Sequence, residues 1–164
     1  LYGINNINHF LQESNTCKAI WRGIQRYKVG DPILFNDASD KFFTRTEEQL
    51  PVIHNNMTGH IVDFLLLNEG KATEGIQFDI EIDRPLIDMD MKDMDFTIVG
   101  TAANGNSIIR FVVNKNKTTD EDDEGPSKAI VPFQIAYAVS IHKAQGLEYD
   151  SVKIIIPKSN AGTH

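Results

Sequence analysis

A single cysteine, Cys17, stands among the 164 residues, which excludes an internal disulfide and any cysteine-based zinc cluster. No run approaches the ~20 consecutive apolar residues that a membrane-crossing helix needs, so no membrane partner is expected. No leader-like stretch opens the chain, which begins at Leu1 and stops at Thr163-His164; it reads as a fragment of a larger, cytoplasmic protein. Positive charge is scarce: 16 Lys and Arg stand against 23 Asp and Glu, a formal net charge of -7. That balance excludes the overall cationic surface of a free-standing nucleic-acid binder. The acidic excess sits around 83–95 and 119–125, which leaves local contacts to phosphate open. A phosphate loop is missing too. Gly70-Lys71-Ala72 comes nearest, but Leu65 occupies the first glycine's place and Ala72 the hydroxyl's, so the pattern fails. The chain also lacks an acidic Mg2+/water motif and an arginine motif after the last strand. Phosphoryl transfer needs all three kinds of group. By itself the chain is therefore expected to hydrolyse no ATP and to bind neither ATP nor Mg2+.

What is present is a chain 41% hydrophobic, enough to bury a core. Ile4, Ile7, Phe10 and Leu11 fall at helical spacing within 3–13, with Asn5, Asn6, Asn8 and His9 between them; this predicts a short amphipathic helix with a polar face. Gly30-Asp31-Pro32 then punctuates the chain before Ile33-Leu34-Phe35, and Pro32 restricts that run to an edge or to the start of a strand. Asn56 suits a turn, since asparagine tolerates positive φ best among non-glycine residues. The segments 59–67, 76–82, 96–99 and 107–113 are short, apolar-rich and bounded by Gly, Asn or Asp, and Asn104-Gly105 is a two-residue hairpin turn. Evenly spaced strands of this kind suggest a small barrel or sandwich. The charge run at 120–124 reads as a solvated loop. From Phe133 the spacing of Phe133, Tyr137 and Ile141 suits a helix, although a strand over 135–141 remains an alternative, and Gly146 fits the left-handed position that closes a helix. Val152 to Ile156 reads as a strand buried on both faces, as in a parallel sheet.

One cluster carries most of the chemistry. Ser140, His142, Lys143, Gln145, Gly146 and Glu148 crowd together just before that apolar run, and ligands of open α/β sheets bind in loops at strand ends. Taken by side-chain type alone, the cluster is an ordinary polar helix end. His54, His60 and Asp63 lack the second ligand cluster of a metal site, so no metal is expected. Trp21, Tyr27 and Phe35 are candidates for base stacking, with core packing the commoner fate of large aromatics. Cys17 reads as a structural thiol, with no neighbour in sequence to activate it.

The run Ser140-Ile-His-Lys-Ala-Gln-Gly-Leu-Glu-Tyr-Asp150 resembles motif V of superfamily 1 helicases, in the form found in RecD-like and UvrD-like enzymes. That pattern is roughly Thr/Ser-x-His-Lys-Ser/Ala-Gln-Gly-x-Glu-Phe/Tyr. Tyr27-Lys-Val-Gly-Asp-Pro-Ile-Leu-Phe35 is similar to the strand that opens the family's SH3-like insert. His54-Asn-Asn-Met-Thr-Gly-His-Ile-Val62 is similar to its Asn-Gly-x2-Gly-x-Ile/Val turn and strand, with Asn56 where glycine is commoner. Gly3, Asn8, Leu11 and Gln12 fit, loosely, a helix of the second RecA-like domain.

The resemblance implies an α/β fold with a β insert: a partial RecA-like domain of P-loop NTPase type at 1–26 and 127–164, interrupted by a small SH3-like β-barrel at 27–126. It implies that Ser140 and His142 lie near the backbone of single-stranded DNA, where such donors carry no base information. Lys143 would add charge there or orient the loop. Gln145 and Gly146 would approach the terminal phosphates of ATP, and Glu148 would accept from a ribose hydroxyl. The intact protein would then be an ATP-dependent DNA helicase using ATP and Mg2+, with possible partners in a repair or recombination complex. The alternatives are a protein-interaction module and a non-catalytic DNA-repair complex subunit, each on a helicase-like scaffold.

Overall fold

A computed structural model describes residues 3–22, 25–36, 52–71, 73–86, 94–114 and 131–155, without the side chains of 21 and 22. The elements are α1 (Ile4–Gln12), β1 (Ala19–Arg22), β2 (Gln25–Lys28), β3 (Pro32–Phe35), β4 (Thr58–Leu67), β5 (Gly75–Ile82), β6 (Thr97–Thr101), β7 (Ser107–Asn114), β8 (Phe133–Ile135) and α2 (Ile141–Ala144). β1 and β2 form a two-stranded ribbon, and the other six strands form one sheet in the order β6-β7-β5-β4-β3-β8. Every pairing is antiparallel.

Period-two patterning builds this sheet. Along β7, Ser107, Ile109, Phe111 and Val113 are buried while Arg110, Val112 and Asn114 are exposed. Ile76, Phe78, Ile80 and Ile82 of β5 face the same core. Each such side chain contributes about 1.5–3 kcal/mol when fully buried. Phe133 of β8 lies among aromatic rings, with centroids 5.1 Å from Phe78, 5.7 Å from Tyr27 and 6.2 Å from both Phe35 and Phe111. Tyr27 and Phe35 thus serve the core; the side chain of Trp21 lies outside the described residues. Pro32 opens β3, where its missing N–H costs no ladder bond. Asn56 adopts φ 68 and Gly105 φ 88, and Asn104-Gly105 turns β6 into β7.

Several expectations need correction. The described chain is mostly β-sheet with few helices, not an α/β chain. Its sheet is open: closure would require β6 to meet β8, and these lie at opposite edges. Strand spacing and turn signals specify hairpins but do not specify closure. The helix expected from Phe133, Tyr137 and Ile141 is instead a strand, a bend and a four-residue helix. Phe133 and Ile135 also carry a period of two, and burial of both against β3 decides in its favour. Val152, Ile154 and Ile155 form no strand and stand 67%, 71% and 59% exposed. A strand buried on both faces needs neighbours at its edges and layers above and below, and the described residues provide neither. β8 pairs with β3 and so joins the same sheet as β4 to β7. The acidic run 119–125 lies outside the described residues.

Candidate functional site

The cluster at 140–148 is reached through a polar hub that starts at Gly30-Asp31-Pro32. Asp31 is fully buried. Its carboxylate accepts the Lys28 backbone N–H at 2.7 Å, the Asn15 amide at 3.0 Å and the Tyr137 hydroxyl at 2.9 Å, and it also accepts the Gln12 amide. Burial pushes the Tyr137 phenol up to about 12, and its bond to Asp31 acts in the same direction. The hydroxyl therefore stays protonated and keeps donating at neutral pH. Lys28 is buried beside the hub and donates its ammonium to the Gln12 carbonyl at 2.9 Å and to the Asn15 carbonyl.

α1 supplies the other side of the hub, with Ile4 and Ile7 half-buried and Asn5, Asn6 and His9 exposed. Asn8 and Gln12 are buried, while Phe10 is 76% exposed and Leu11 is exposed as well. Helical periodicity says which residues share a face but not which face turns inward. Here the inward face is selected by the hydrogen bonds waiting there. The Gln12 amide donates to the Arg26 carbonyl at 3.0 Å as well as to Asp31. Asn8 donates to the Ala138 carbonyl at 3.0 Å and accepts the Ala138 N–H at 2.8 Å.

From Ala138 the chain runs out to the cluster. Ser140 is the N-cap of α2, in extended conformation, and its hydroxyl accepts the Lys143 N–H at 3.4 Å. Lys143 donates its ammonium to the Gln134 side chain of β8 at 2.6 Å. Gly146 closes α2 with φ 82, as the left-handed position requires, and the Leu147 N–H reaches back to the Ala144 carbonyl at 3.1 Å. Ser140, His142, Gln145, Gly146 and Glu148 are all exposed. The structure thus brings 140–146 together on one turn, fastened to the edge of an antiparallel sheet. Among the described residues every strand pairing is antiparallel, so none of them forms a parallel sheet beside the turn.

In the sequence Asp31 reads as punctuation and Tyr137 as helical spacing, Asn15 carries no reading, and none of the three shows itself as part of a network. The available signal was a polar pair at i, i+4 in α1, Asn8 and Gln12, interrupting an apolar stripe.

Other candidates are engaged elsewhere. Asp63 pairs with Lys18 at 2.8 Å, and His60 lies 3.4 Å from Glu81; among the described residues no metal-holding cluster occurs. Cys17 is exposed and free rather than buried in the structure. Gly70 and Lys71 belong to the β4–β5 turn. A cavity of about 50 Å³ between α1, β2 and β8 is lined mainly by Asn5, Asn8, His9, Gln12, Gln25 and Gln134. That is far below the ~300 Å³ at which ligand pockets begin. A larger depression of about 320 Å³ lies over Lys18, Asp63, Asp79 and Arg110, whose charges already pair with one another. Neither cavity is lined by the 140–148 turn. No helix among the described residues is long and apolar enough to cross a membrane. Comparison with protein-family models, curated proteins and solved structures finds no match to the chain.

Proposed function

We propose that this chain is part of an ATP-dependent superfamily 1 DNA helicase and contributes half of an ATP site and a contact to single-stranded DNA. In this reading 1–26 and 127–164 belong to a RecA-like domain and 27–126 to its SH3-like insert. Ser140, His142 and Lys143 face the DNA backbone, and Gln145, Gly146 and Glu148 face ATP with its Mg2+. The rest of the nucleotide site, including the phosphate loop, comes from outside this sequence. The observation that carries the reading is the dense match from Ser140 to Tyr149, on residues that fold into an exposed, glycine-closed turn. Backbone N–H groups at a glycine can approach a phosphate closely, and exposed hydroxyl and imidazole groups can meet phosphate oxygens. In the full-length protein, His142→Ala and Glu148→Ala are each expected to lower DNA-stimulated ATP turnover. Unchanged turnover in both rejects the assignment.

A second reading, a protein-interaction module or non-catalytic subunit of a DNA-repair complex, is favoured by a different observation. Ile141, Tyr149, Val152, Ile154 and Ile155, near one another in sequence, are all exposed, and contiguous exposed apolar surface is a mark of interaction sites. Fluorescence anisotropy with a single-stranded oligonucleotide separates the readings. Binding through phosphate falls steeply with salt, whereas an apolar protein interface does not need the oligonucleotide at all.

A further inference from the structure

The turn at 140–146 is exposed and short, yet its approach is held by a residue 130 positions away in sequence. One amide, that of Asn8, pairs both backbone groups of Ala138. A residue in a β-bridge would supply the same donor and acceptor, but here a helix side chain does so at a point where the chain is leaving the sheet. Among side chains of this length only asparagine fits: it offers a donor and an acceptor on one planar group, whereas an ionised aspartate only accepts. Asn8 is buried and Ala138 half-buried, and a pair partly withdrawn from water is stronger when complete and costlier when broken than one in water. Next to it, Tyr137 is tied to Asp31, and Ala136 donates its N–H to the Pro32 carbonyl at 2.8 Å. Three consecutive residues are therefore pinned immediately before the turn.

Resting on the helicase reading above, we infer that Asn8 is a positioning residue for the 140–146 turn. Its amide fixes Ala138 so that Ser140, His142 and Lys143 are presented to the phosphate backbone of single-stranded DNA as a preformed unit. Without that clamp the turn samples other orientations. Apparent affinity then falls in proportion to the fraction still competent to bind. If release leaves about one tenth of the molecules competent, the dissociation constant rises about tenfold.

The test uses the full-length protein, with hydrogen exchange by mass spectrometry, thermal midpoint and affinity for a labelled single-stranded oligothymidylate measured on the same samples. Asn8→Ala is expected to accelerate exchange across 138–146 while sparing the β4–β5 ladder, and to weaken oligonucleotide binding about tenfold. Should Asn8→Ala fail to fold, Asn8→Asp carries the test: it keeps an acceptor for the Ala138 N–H and loses the donor. Val113→Ala, a core truncation far from the turn in sequence, controls for general destabilisation. It should lower the midpoint and leave exchange at 138–146 unchanged. The inference is overturned if the Asn8 variants leave 138–146 as protected as the wild type, or if Val113→Ala exposes that segment equally. His142→Ala tests the underlying reading separately. If it leaves oligonucleotide binding intact while the Asn8 variants still release the turn, positioning by Asn8 stands and the DNA contact falls.

Discussion

Replacing Asp31 by alanine removes the acceptor on which four donors converge. The Gln12 and Asn15 amides keep second partners, the carbonyls of Arg26 and Val29. The Lys28 backbone N–H and the Tyr137 hydroxyl lose the acceptor described above, at about 1–3 kcal/mol for each buried donor left unpaired. Loss of the charge-assisted bonds themselves adds to this, and a total of about 3–5 kcal/mol matches the cost of breaking a buried charged network. For a chain of this size each kcal/mol lowers the midpoint by roughly 2–4 °C, so a fall on the order of 10 °C is expected. Asp31→Asn keeps one acceptor oxygen and the shape, and should lose distinctly less. Urea unfolding at neutral pH, followed by tryptophan fluorescence and by far-ultraviolet circular dichroism, gives both values. A loss below about 1 kcal/mol for Asp31→Ala would mean that the donors are readily satisfied by water, and the hub would not be the organising element described here.

Three further perturbations test other parts of the fold. The Asn104 amide, together with Asn106 and nearby His60, holds the Glu81 carboxyl below its ordinary 4.5. A depressed folded-state value adds stability above the unfolded value and gives it up as pH falls through the folded one. Glu81→Gln should therefore be less stable than wild type at neutral pH, with the gap closing below about pH 4.5; parallel urea midpoints across pH would contradict this. A Cβ at Gly59 would lie 2.4 Å from the Glu81 carbonyl oxygen and 3.2 Å from the Ile82 Cα, so Gly59→Ala should cost about 1–3 kcal/mol by forcing β4 off β5. An unchanged urea midpoint would argue against this register. At Gly146 nothing lies within 4 Å of the added Cβ, and only the backbone angle matters. Gly146→Ala should cost about 1–2 kcal/mol locally, read as faster exchange of the Leu147 amide.

The β-sheet was largely legible because alternation and turn chemistry are local. The strands at 59–67, 76–82 and 107–113 each needed only their own sequence and a Gly or Asn at the bend. Gly146 and Asn56 were legible for the same reason, since a positive φ is a property of one residue. The failures were all non-local. Whether β6 meets β8 depends on the whole sheet, and no single strand encodes it. Val152 to Ile155 has a strand's composition, but a strand exists only with a partner to pair with. The burial of Asn8 and Gln12 in α1 was not legible, because their side chains find Asp31 and Ala138, contacts made far along the chain. The glycine that closes the turn was legible, whereas the means of holding the turn was not, because Asn8 gives no sign in sequence of what it grips.

The late arrival of β8 has a consequence for how the chain is made. β3 emerges from synthesis with one edge open, and the strand that covers this edge lies beyond the entire hairpin array. Until β8 arrives, that edge is a template for wrong pairing, and its closure is the kind of distant contact that slows folding. Phe133 and Ile135 seal it, and Ala138 meets Asn8 just afterwards. The turn therefore takes its shape in the same late event that protects the nascent sheet from aggregation, so a chain that stalls before this point lacks both the protected edge and the surface proposed to bind DNA.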